Sequence, residues 1–334
     1  MPAEIGYRDI QVAPEDIGLA WHGLTTLVPG EITADNCGIL YEMTKQPLFL
    51  PDGKATPHFG IVSMDDGKMV GNPVSGRYSI ISNRMIWDSV IEAMNGTAHR
   101  MVSVGTCSDR ERGYISVKLS DEFMAAERKT MSTLNILWGH GGCMNVIARV
   151  GFTVVVCRNT YNAALSEKNG DFAFRIKHVG DVKIQLDGMR DAIEKYWNTV
   201  AAFKQAMDTL HAQPMVKDDA SKMFAGFIVD KVDDEIEVSA RAKNQYEELT
   251  FLFSKGKGNK GETAADAFNA GTQFYTHGAA TSELAAIKQF ETSEFGTGQD
   301  RKEELLTVLL GQKARRVGTY EDCVKRGALV LSAA

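Results

Sequence analysis

A stripe of apolar residues, spaced alternately three and four positions apart, constrains the fold of this chain more than any other feature of its sequence. On an α-helix such spacing places every member on one face, so the stripe predicts a helix over residues 186–210. This helix either packs along the sheet or helices of its own chain or joins two subunits as a coiled coil, and the spacing leaves both possibilities open. The stripe consists of Leu186, Met189, Ile193, Tyr196, Val200, Phe203, Met207 and Leu210.

The segment before this helix, residues 51–180, has the pattern of a β-rich core. Asp65-Asp66-Gly67 separates short apolar runs at 59–64 and 68–70, and Asp-Gly accepts the positive φ of a tight hairpin turn. A second hairpin is predicted from residues 101–107 and 114–119, with a charged tip at 108–113. Further strands are predicted at 77–81, 133–138, 150–156 and 172–176, and a helix at 85–94 with Asn83 as its N-cap.

Two further segments flank this core. Residues 1–50 are expected to form an N-terminal arm that includes a short helix capped by Thr33. Residues 181–334 combine the long helix with a helical C-terminal region, whose helices are predicted at 264–275, 282–290, 302–310 and 319–330. The predicted fold class is therefore α+β: an antiparallel, hairpin-rich sheet with a long crossing helix and a helical C-terminal region packed on the core.

Composition and charge exclude several classes of protein. With 44% hydrophobic and 24% charged residues, the chain is typical of globular proteins and unlike disordered or fibrous ones. No apolar run approaches the roughly 18 residues that cross a bilayer, and charged residues near the start leave no signal-peptide core, so we expect a cytoplasmic protein. Five scattered cysteines fit reduced thiols. A formal net charge of −6 argues against coating nucleic acid by overall charge, although a local basic groove remains compatible with it.

No motif predicts catalysis, a cofactor or a metal site, so an enzyme is not expected. Residues 256–261 match Gly-x-Gly-x-x-Gly, but no second strand follows, and a mobile basic loop is predicted instead of a dinucleotide site. His140 and Cys143 have the spacing of metal ligands without a second pair, which favours a glycine-rich turn beside a buried thiol. Acidic clusters at 218–219 and 233–235 are typical of solvated helix faces.

Basic and aromatic residues alternate along the β-rich core, as binding of a single strand requires. Cations follow the phosphates while flat rings stack on the bases. The tip of the second hairpin suits this role, and ordinary exposed arginines with half-buried tyrosines are the competing interpretation. The candidate contacts to single-stranded DNA are Arg77, Tyr78, Arg110, Arg112, Tyr114, Arg158 and Lys177.

Cys157, Asn159 and Thr160 are predicted to have a structural role. They follow an apolar strand and precede a short helix predicted over residues 161–168. At such a junction an Asn or Thr side chain can cap the helix through its backbone amides.

Several blocks of sequence, taken in order, resemble an uncharacterised family of phage- and plasmid-encoded proteins. The most specific is Val155-Val156-Cys157-Arg158-Asn159-Thr160 followed by Ala164-Leu165, which is similar to the V-V-C-x-N-T-…-A-L of that family. Gly76 to Asn83 resembles its R-Y-x-x-I-x-N strand end. Trp138 to Gly142 resembles its Ser-His-Asp-Gly turn, with departures at Trp138-Gly139 and Gly141. The other similar blocks are residues 21–24, 60–71, 176–179 (with Val179 in place of threonine), 263–277 and 293–298.

The resemblance implies a protein of mobile genetic elements that acts in the cytoplasm of a bacterial host. The layout of hairpins, sheet and crossing helix is also similar to that of the single-strand-annealing recombinases of phages, the RecT, Erf and Sak types. That similarity implies a non-enzymatic, cofactor-free homo-oligomer that binds single-stranded DNA and anneals it. Two alternatives stay open. One is a host-interaction or anti-defence protein that binds another protein. The other is a metal-dependent nuclease or other hydrolase built on the acidic clusters or on His140, Cys143 and His178.

Overall fold

The computed structural model describes eleven stretches of the chain, and they fall into two compact units. The stretches are residues 10–12, 25–27, 31–95, 97–107, 110–119, 122–154, 159–163, 174–180, 196–230, 238–277 and 283–333. Unit 1 comprises Met1–Asp121, Ser132–Gly151 and Ala164–Thr199, and unit 2 comprises Glu122–Met131, Phe152–Ala163 and Val200–Ala334. These units cut across the predicted segments 1–50, 51–180 and 181–334.

The predicted α+β fold class is confirmed by antiparallel strand pairs and a helical C-terminal region. The strands are β1 (Ile10–Val12), β2 (Thr25–Leu27), β3 (Met43–Phe49), β4 (Ala55–Ser63), β5 (Val74–Ser75), β6 (Arg100–Cys107), β7 (Arg112–Lys118), β8 (Phe123–Ala125), β9 (Arg128–Gly139), β10 (Val146–Val154), β11 (Asn159–Ala163) and β12 (Phe174–Ile176). The helices are α1 (Asn83–Met94), α2 (Tyr196–His211), α3 (Lys217–Ile228), α4 (Ala240–Lys255), α5 (Ala264–His277), α6 (Glu283–Phe295), α7 (Thr297–Leu309) and α8 (Tyr320–Ala333). No helix among the described residues is both long enough and apolar enough to cross a membrane.

The smaller sheet has the strand order β3-β4-β5. The first predicted hairpin is present in part: its first arm belongs to β4, and its second arm, at 68–70, forms only an isolated bridge between Val62 and Met69. Gly67 has φ 70°, and the amide of Val70 donates to the carbonyl of Ile61 across the turn. The predicted helix after Thr33 is wrong: the Thr33 carbonyl accepts only one turn of hydrogen bonds, and Met43 already starts β3. Met43, which was predicted on the helix, pairs instead with Ser63 in the antiparallel register of β3 and β4, and sheet pairing thus takes the place of the helix at this residue.

The larger sheet has the order β11-β10-β9-β7-β6-β1-β2, with β12 paired to β10 and β8 paired to β9. Strands β6 and β7 form the second predicted hairpin, in which Cys107 pairs with Arg112. The strands predicted at 133–138, 150–156 and 172–176 correspond to β9, β10 and β12. The helix predicted over 161–168 is wrong for its described part, because residues 159–163 form β11 at the edge of β10. Residues 164–168 lie outside the described part of the chain.

The segment around α1 differs from the sequence prediction in two ways. Residues 77–81 form a turn and an irregular stretch in place of a strand. The N-cap of α1 is Ser82, whose hydroxyl accepts a hydrogen bond from the amide of Met85 at 3.2 Å. Asn83 is therefore the first helical residue, and its side chain points into the interior, where it is completely buried.

The C-terminal half of the apolar stripe lies on α2, and residues 186–195 are outside the described part of the chain. Phe203, Met207 and Leu210 are buried, and the ring of Phe203 stacks on that of Phe152 at 3.9 Å. This half of the stripe therefore packs within its own chain. A subunit contact through residues 186–195 stays a prediction.

The four predicted C-terminal helices correspond to α5, α6, α7 and α8. Helices α3 and α8 touch through their backbones at Gly226 and Gly327. A Cβ atom added at Gly226 would overlap the carbonyl oxygen of Cys323, and one added at Gly327 would overlap that of Lys222. Only glycine allows this approach.

Candidate functional site

The side chain of Arg110 forms its contacts within unit 1. The sequence had predicted it at the tip of a DNA-binding hairpin. Its Nη1 donates to the hydroxyl of Ser63 at 3.0 Å and lies 3.5 Å from Oδ1 of Asp66. The guanidinium lies 5.1 Å from the ring centroid of Tyr41, whose hydroxyl donates to the Arg110 carbonyl. With 16% of its side chain exposed, Arg110 joins the two hairpins and offers little surface to a phosphate.

The predicted base-stacking rings of Tyr78 and Tyr114 are buried, with 8% and 6% of their surface exposed. The Tyr78 ring is stacked on the imidazole of His178, with centroids 4.7 Å apart and planes 8° from parallel. Neither ring has a face open to a nucleic-acid base, so the geometry gives the stacking role no support.

The other predicted contacts divide by exposure. Arg77 and Lys177 are exposed, Arg112 is half-buried on β7, and Arg158 lies outside the described residues. Their contacts to DNA stay predictions. Of the predicted structural residues, Cys157 is also outside the described part, whereas Asn159 and Thr160 lie within β11. Their structural role stays a prediction without the capping argument.

A buried polar cluster in unit 1, which we call the Asn83 cluster, joins Asn83, Trp138 and His140. Oδ1 of Asn83 accepts a hydrogen bond from Nε1 of Trp138 at 2.8 Å and lies 2.9 Å from Nε2 of His140. Nδ2 of Asn83 donates to the carbonyl of Ile39 at 2.8 Å. Because an amide oxygen only accepts, His140 must carry its proton on Nε2, which leaves Nδ1 as an acceptor.

The surroundings of this cluster keep its side chains uncharged. Burial, with a smaller contribution from the charge of His178, lowers the pKa of His140 to about 3. Burial also lowers the pKa of His178, raises that of Tyr78 and raises that of Cys143 to about 11. A thiol with a raised pKa stays protonated at neutral pH, and the thiolate is the nucleophilic form of cysteine. Among the residues that the structure describes, no group of three His, Cys, Asp or Glu side chains could hold a metal ion.

The Asn83 cluster also explains three of the sequence blocks. Tyr78 and Asn83 belong to the block at residues 76–83, and Trp138 and His140 belong to the glycine-rich turn at 138–142. His178 belongs to the block at 176–179. His140 Nδ1 is buried and has no hydrogen-bond partner among the described residues. Sequence reasoning missed the cluster because its members are far apart in the chain and no local spacing connects them.

In unit 2, the loop predicted to be mobile is held by a hydrogen-bond network. We call residues 255–260 the basic loop. Asp266 accepts hydrogen bonds from the amides of Glu262, at 2.9 Å, and Thr263, at 3.2 Å, and forms an ion pair with Arg128. Arg128 also donates to the carbonyl of Gly258 at 3.1 Å. The buried carboxylate of Asp266 thus holds the C-terminal end of the loop through hydrogen bonds, and the mobility of the loop stays a prediction.

Asn259 joins this loop to α4 and α5 through hydrogen bonds of its side chain. Its Nδ2 donates to the carbonyl of Leu252 at 2.7 Å, and its Oδ1 accepts from Nδ2 of Asn269 at 2.6 Å. Gly258 and Gly261 have φ of 77° and 76°, so the glycines permit a tight turn. The lysines at 255, 257 and 260 are all exposed, and the turn thus presents three cations from a fixed backbone.

The helix before the basic loop presents an exposed aromatic ring. Phe251 on α4 is 61% exposed and lines a groove of about 380 Å³. Lys217 and Lys243 line the same groove, and Glu247 is the only acidic side chain among the described residues that line it. Lys255 follows Phe251 by one helical turn and so lies on the same face. We call Lys217, Lys243, Phe251, Lys255 and Lys257 the α4 surface.

Sequence reasoning missed the α4 surface, although a signal was present. Residues 243, 247, 251 and 255 follow one another at steps of four, which places them along one helix face. No helix was predicted over these residues, so the spacing was not recognised as one helix face.

Comparison with known proteins gives one match. The family described as "Domain of unknown function (DUF932)" matches residues 72–309, which include the Asn83 cluster and the α4 surface. No curated protein and no solved structure matches the chain.

Proposed function

The chain belongs to this family of unknown function, and we propose that it binds single-stranded DNA through the α4 surface. The observation that carries the proposal is the exposed ring of Phe251, which is set among lysines on a helix that leads into a fixed basic loop. Proteins that bind single strands combine cations along the phosphate path with rings on which bases stack.

The charges of the α4 surface favour a polyanion. Lys243, Lys255 and Lys257 form no ion pair with any described residue, so their charges are available to a ligand. With a net charge of −6, the chain needs a local cationic surface to bind a polyanion, and the α4 surface is of this kind. The anchored backbone lowers the entropic cost of ordering the loop lysines on a strand.

Binding of this kind is compatible with strand annealing. Contacts to phosphates and to one face of a base leave the hydrogen-bonding edges of the bases free to pair with a complement. We therefore extend the proposal to a homo-oligomer that anneals single strands in the DNA metabolism of mobile elements. The resemblance of the sequence blocks to phage- and plasmid-encoded proteins supports this extension.

The test is a fluorescence-anisotropy titration with a single-stranded oligonucleotide over a range of salt concentrations. Removal of one lysine that neutralises a phosphate lowers the slope of log affinity against log salt by about 0.7. The Lys255→Ala/Lys257→Ala variant should therefore bind more weakly at low salt, with a slope shallower by about 1.4. Lys313→Ala/Arg315→Ala, which removes two exposed cations from the loop between α7 and α8, is the matched control and should bind as the wild type does.

Phe251→Ala tests the stacking contribution separately. Loss of one stacked ring should cost about 1–3 kcal/mol of binding free energy with little change in the salt slope. Ile91→Ala, which removes an exposed apolar side chain from α1, is the control. If the wild type shows no salt-dependent binding to single-stranded DNA at low salt, the proposal fails and binding of a protein partner takes its place. An Arg77→Ala/Lys177→Ala variant in the same titration tests the interface predicted from sequence.

A further inference from the structure

Unit 2 contains a second cavity, of about 790 Å³, which the proposed function does not use. It lies between the N-terminal half of α4, the C-terminal end of α5, and helices α6 and α7. Its volume is within the range of sites that hold small molecules. The rings of Phe274 and Tyr275 form part of its wall, so the cavity offers flat apolar surface as well as polar groups.

Cationic side chains dominate the charge of this cavity. Arg241 and Lys288 line it from α4 and α6, are exposed, and form no ion pair with any described residue. Arg301 lines it from α7, where its guanidinium is fixed by Glu304, by the carbonyl of Phe227 and by the Phe227 ring at 4.0 Å. Glu248 is the only acidic residue among the described ones that line the cavity, and burial raises its pKa, which weakens its repulsion of an anion.

The first turn of α7 adds backbone donors to these cations. Thr297 and Gly298 line the cavity, and the N-cap residue Gly296 has no side chain to accept from their amides. The hydrogen bonds of this turn begin with the amides of Gln299 and Asp300, which both donate to the Gly296 carbonyl. The first two amides and the helix dipole are therefore left for a negatively charged group.

We propose that this cavity binds a phosphate monoester carried by a molecule of nucleotide size. The phosphate lies between Arg241, Lys288 and the amides of Thr297 and Gly298, while the flat part of the ligand contacts Phe274 and Tyr275. The phosphate belongs either to a free nucleotide or to the 5′ end of a strand. The inference stands independently of DNA binding at the α4 surface.

Calorimetric titration of the full chain with adenosine 5′-monophosphate, adenosine and inorganic phosphate tests the proposal. The nucleotide should bind more tightly than either of its parts. The Arg241→Gln/Lys288→Gln variant should bind it about tenfold more weakly or worse, because it lacks two charge-assisted hydrogen bonds to the phosphate, whereas Lys313→Gln should bind normally. Thr297→Pro removes one amide at a position where proline fits a helix, and should lower affinity without lowering the melting temperature.

Two oligonucleotides of one sequence, with a 5′-phosphate or a 5′-hydroxyl, distinguish the sources. If the phosphate raises the affinity of the oligonucleotide more than that of the nucleoside, the cavity is assigned to strand ends. The reverse result assigns it to free nucleotides. The proposal is overturned if the phosphate raises the affinity of neither the nucleoside nor the oligonucleotide. It is also overturned if Arg241→Gln/Lys288→Gln leaves the affinities for both phosphorylated ligands unchanged. Lys255→Ala/Lys257→Ala should retain nucleotide binding, so failure here and failure at the α4 surface are separable.

Discussion

Asn83 connects three segments of unit 1 through one side chain, and its removal should cost far more than loss of the neighbouring helix cap. Asn83→Ala leaves the Ile39 carbonyl, the Trp138 indole and the His140 ring without their partner. Each buried group left without a hydrogen bond costs about 1–3 kcal/mol. Ser82→Ala removes only the N-cap, which costs about 1 kcal/mol. Urea denaturation of both variants measures the difference, and equal losses would contradict this role of Asn83.

His140 should make stability depend on pH. Its pKa is 6.5 in an unfolded chain and about 3 when folded, so between these values the unfolded chain holds the extra proton. Acidification from pH 6.5 therefore lowers the free energy of unfolding by about 1.4 kcal/mol per pH unit, and His178 acts in the same direction. His140→Gln should lose less stability than the wild type between pH 7 and pH 5 in urea titrations. His58→Gln, at an exposed position, should match the wild type.

At the scale of elements, the α3–α8 crossing depends on two glycines. Alanine normally stabilises a helix by about 1 kcal/mol relative to glycine. Gly226→Ala and Gly327→Ala should instead each destabilise the protein by about 1–3 kcal/mol, because the added methyl group forces the helices apart. The double variant should cost less than the sum, since one separation accommodates both methyl groups. Thermal denaturation measures this, with Ser332→Ala as the control; a stabilised variant or simple additivity would contradict it.

The elements that were predicted correctly are those that short-range sequence patterns, such as turn residues and helical spacing, determine. The Asp65-Asp66-Gly67 turn, the hairpin of β6 and β7 and the helices α5 to α8 were all predictable. Met43 and residues 161–163 were predicted on helices, but they belong to β3 and β11, which pair with the neighbouring strands β4 and β10. Pairing along a sheet overrides a short helical pattern.

The sites were less predictable than the elements. The tyrosines 78 and 114 were identified as aromatic residues near arginines, but the sequence does not show which rings the fold buries. Likewise, the basic loop was expected to be mobile because its glycines and lysines are typical of linkers. The hydrogen bonds that hold it depend on Arg128 and Asp266, which lie outside the loop itself.

At the scale of the whole molecule, unit 2 is assembled from three separate stretches of chain, so its helical part alone should be incomplete. A fragment of residues 200–334 lacks Phe152, which stacks on Phe203, and Arg128, which pairs with Asp266. We expect this fragment to lose cooperative thermal unfolding by circular dichroism, and a fragment of residues 1–199 added to it to restore part of the transition. A fragment that unfolds with the melting temperature of the full chain would contradict this expectation.

The stack of Phe152 on Phe203 has a consequence for biosynthesis. A ribosome adds about 5–20 residues per second, so Phe152 is made roughly 3–10 s before the ring that covers it. During that interval the nascent chain exposes an apolar strand end whose partner does not yet exist. Chaperones that hold nascent chains should therefore bind this protein before α2 emerges, and should release it once the helix packs.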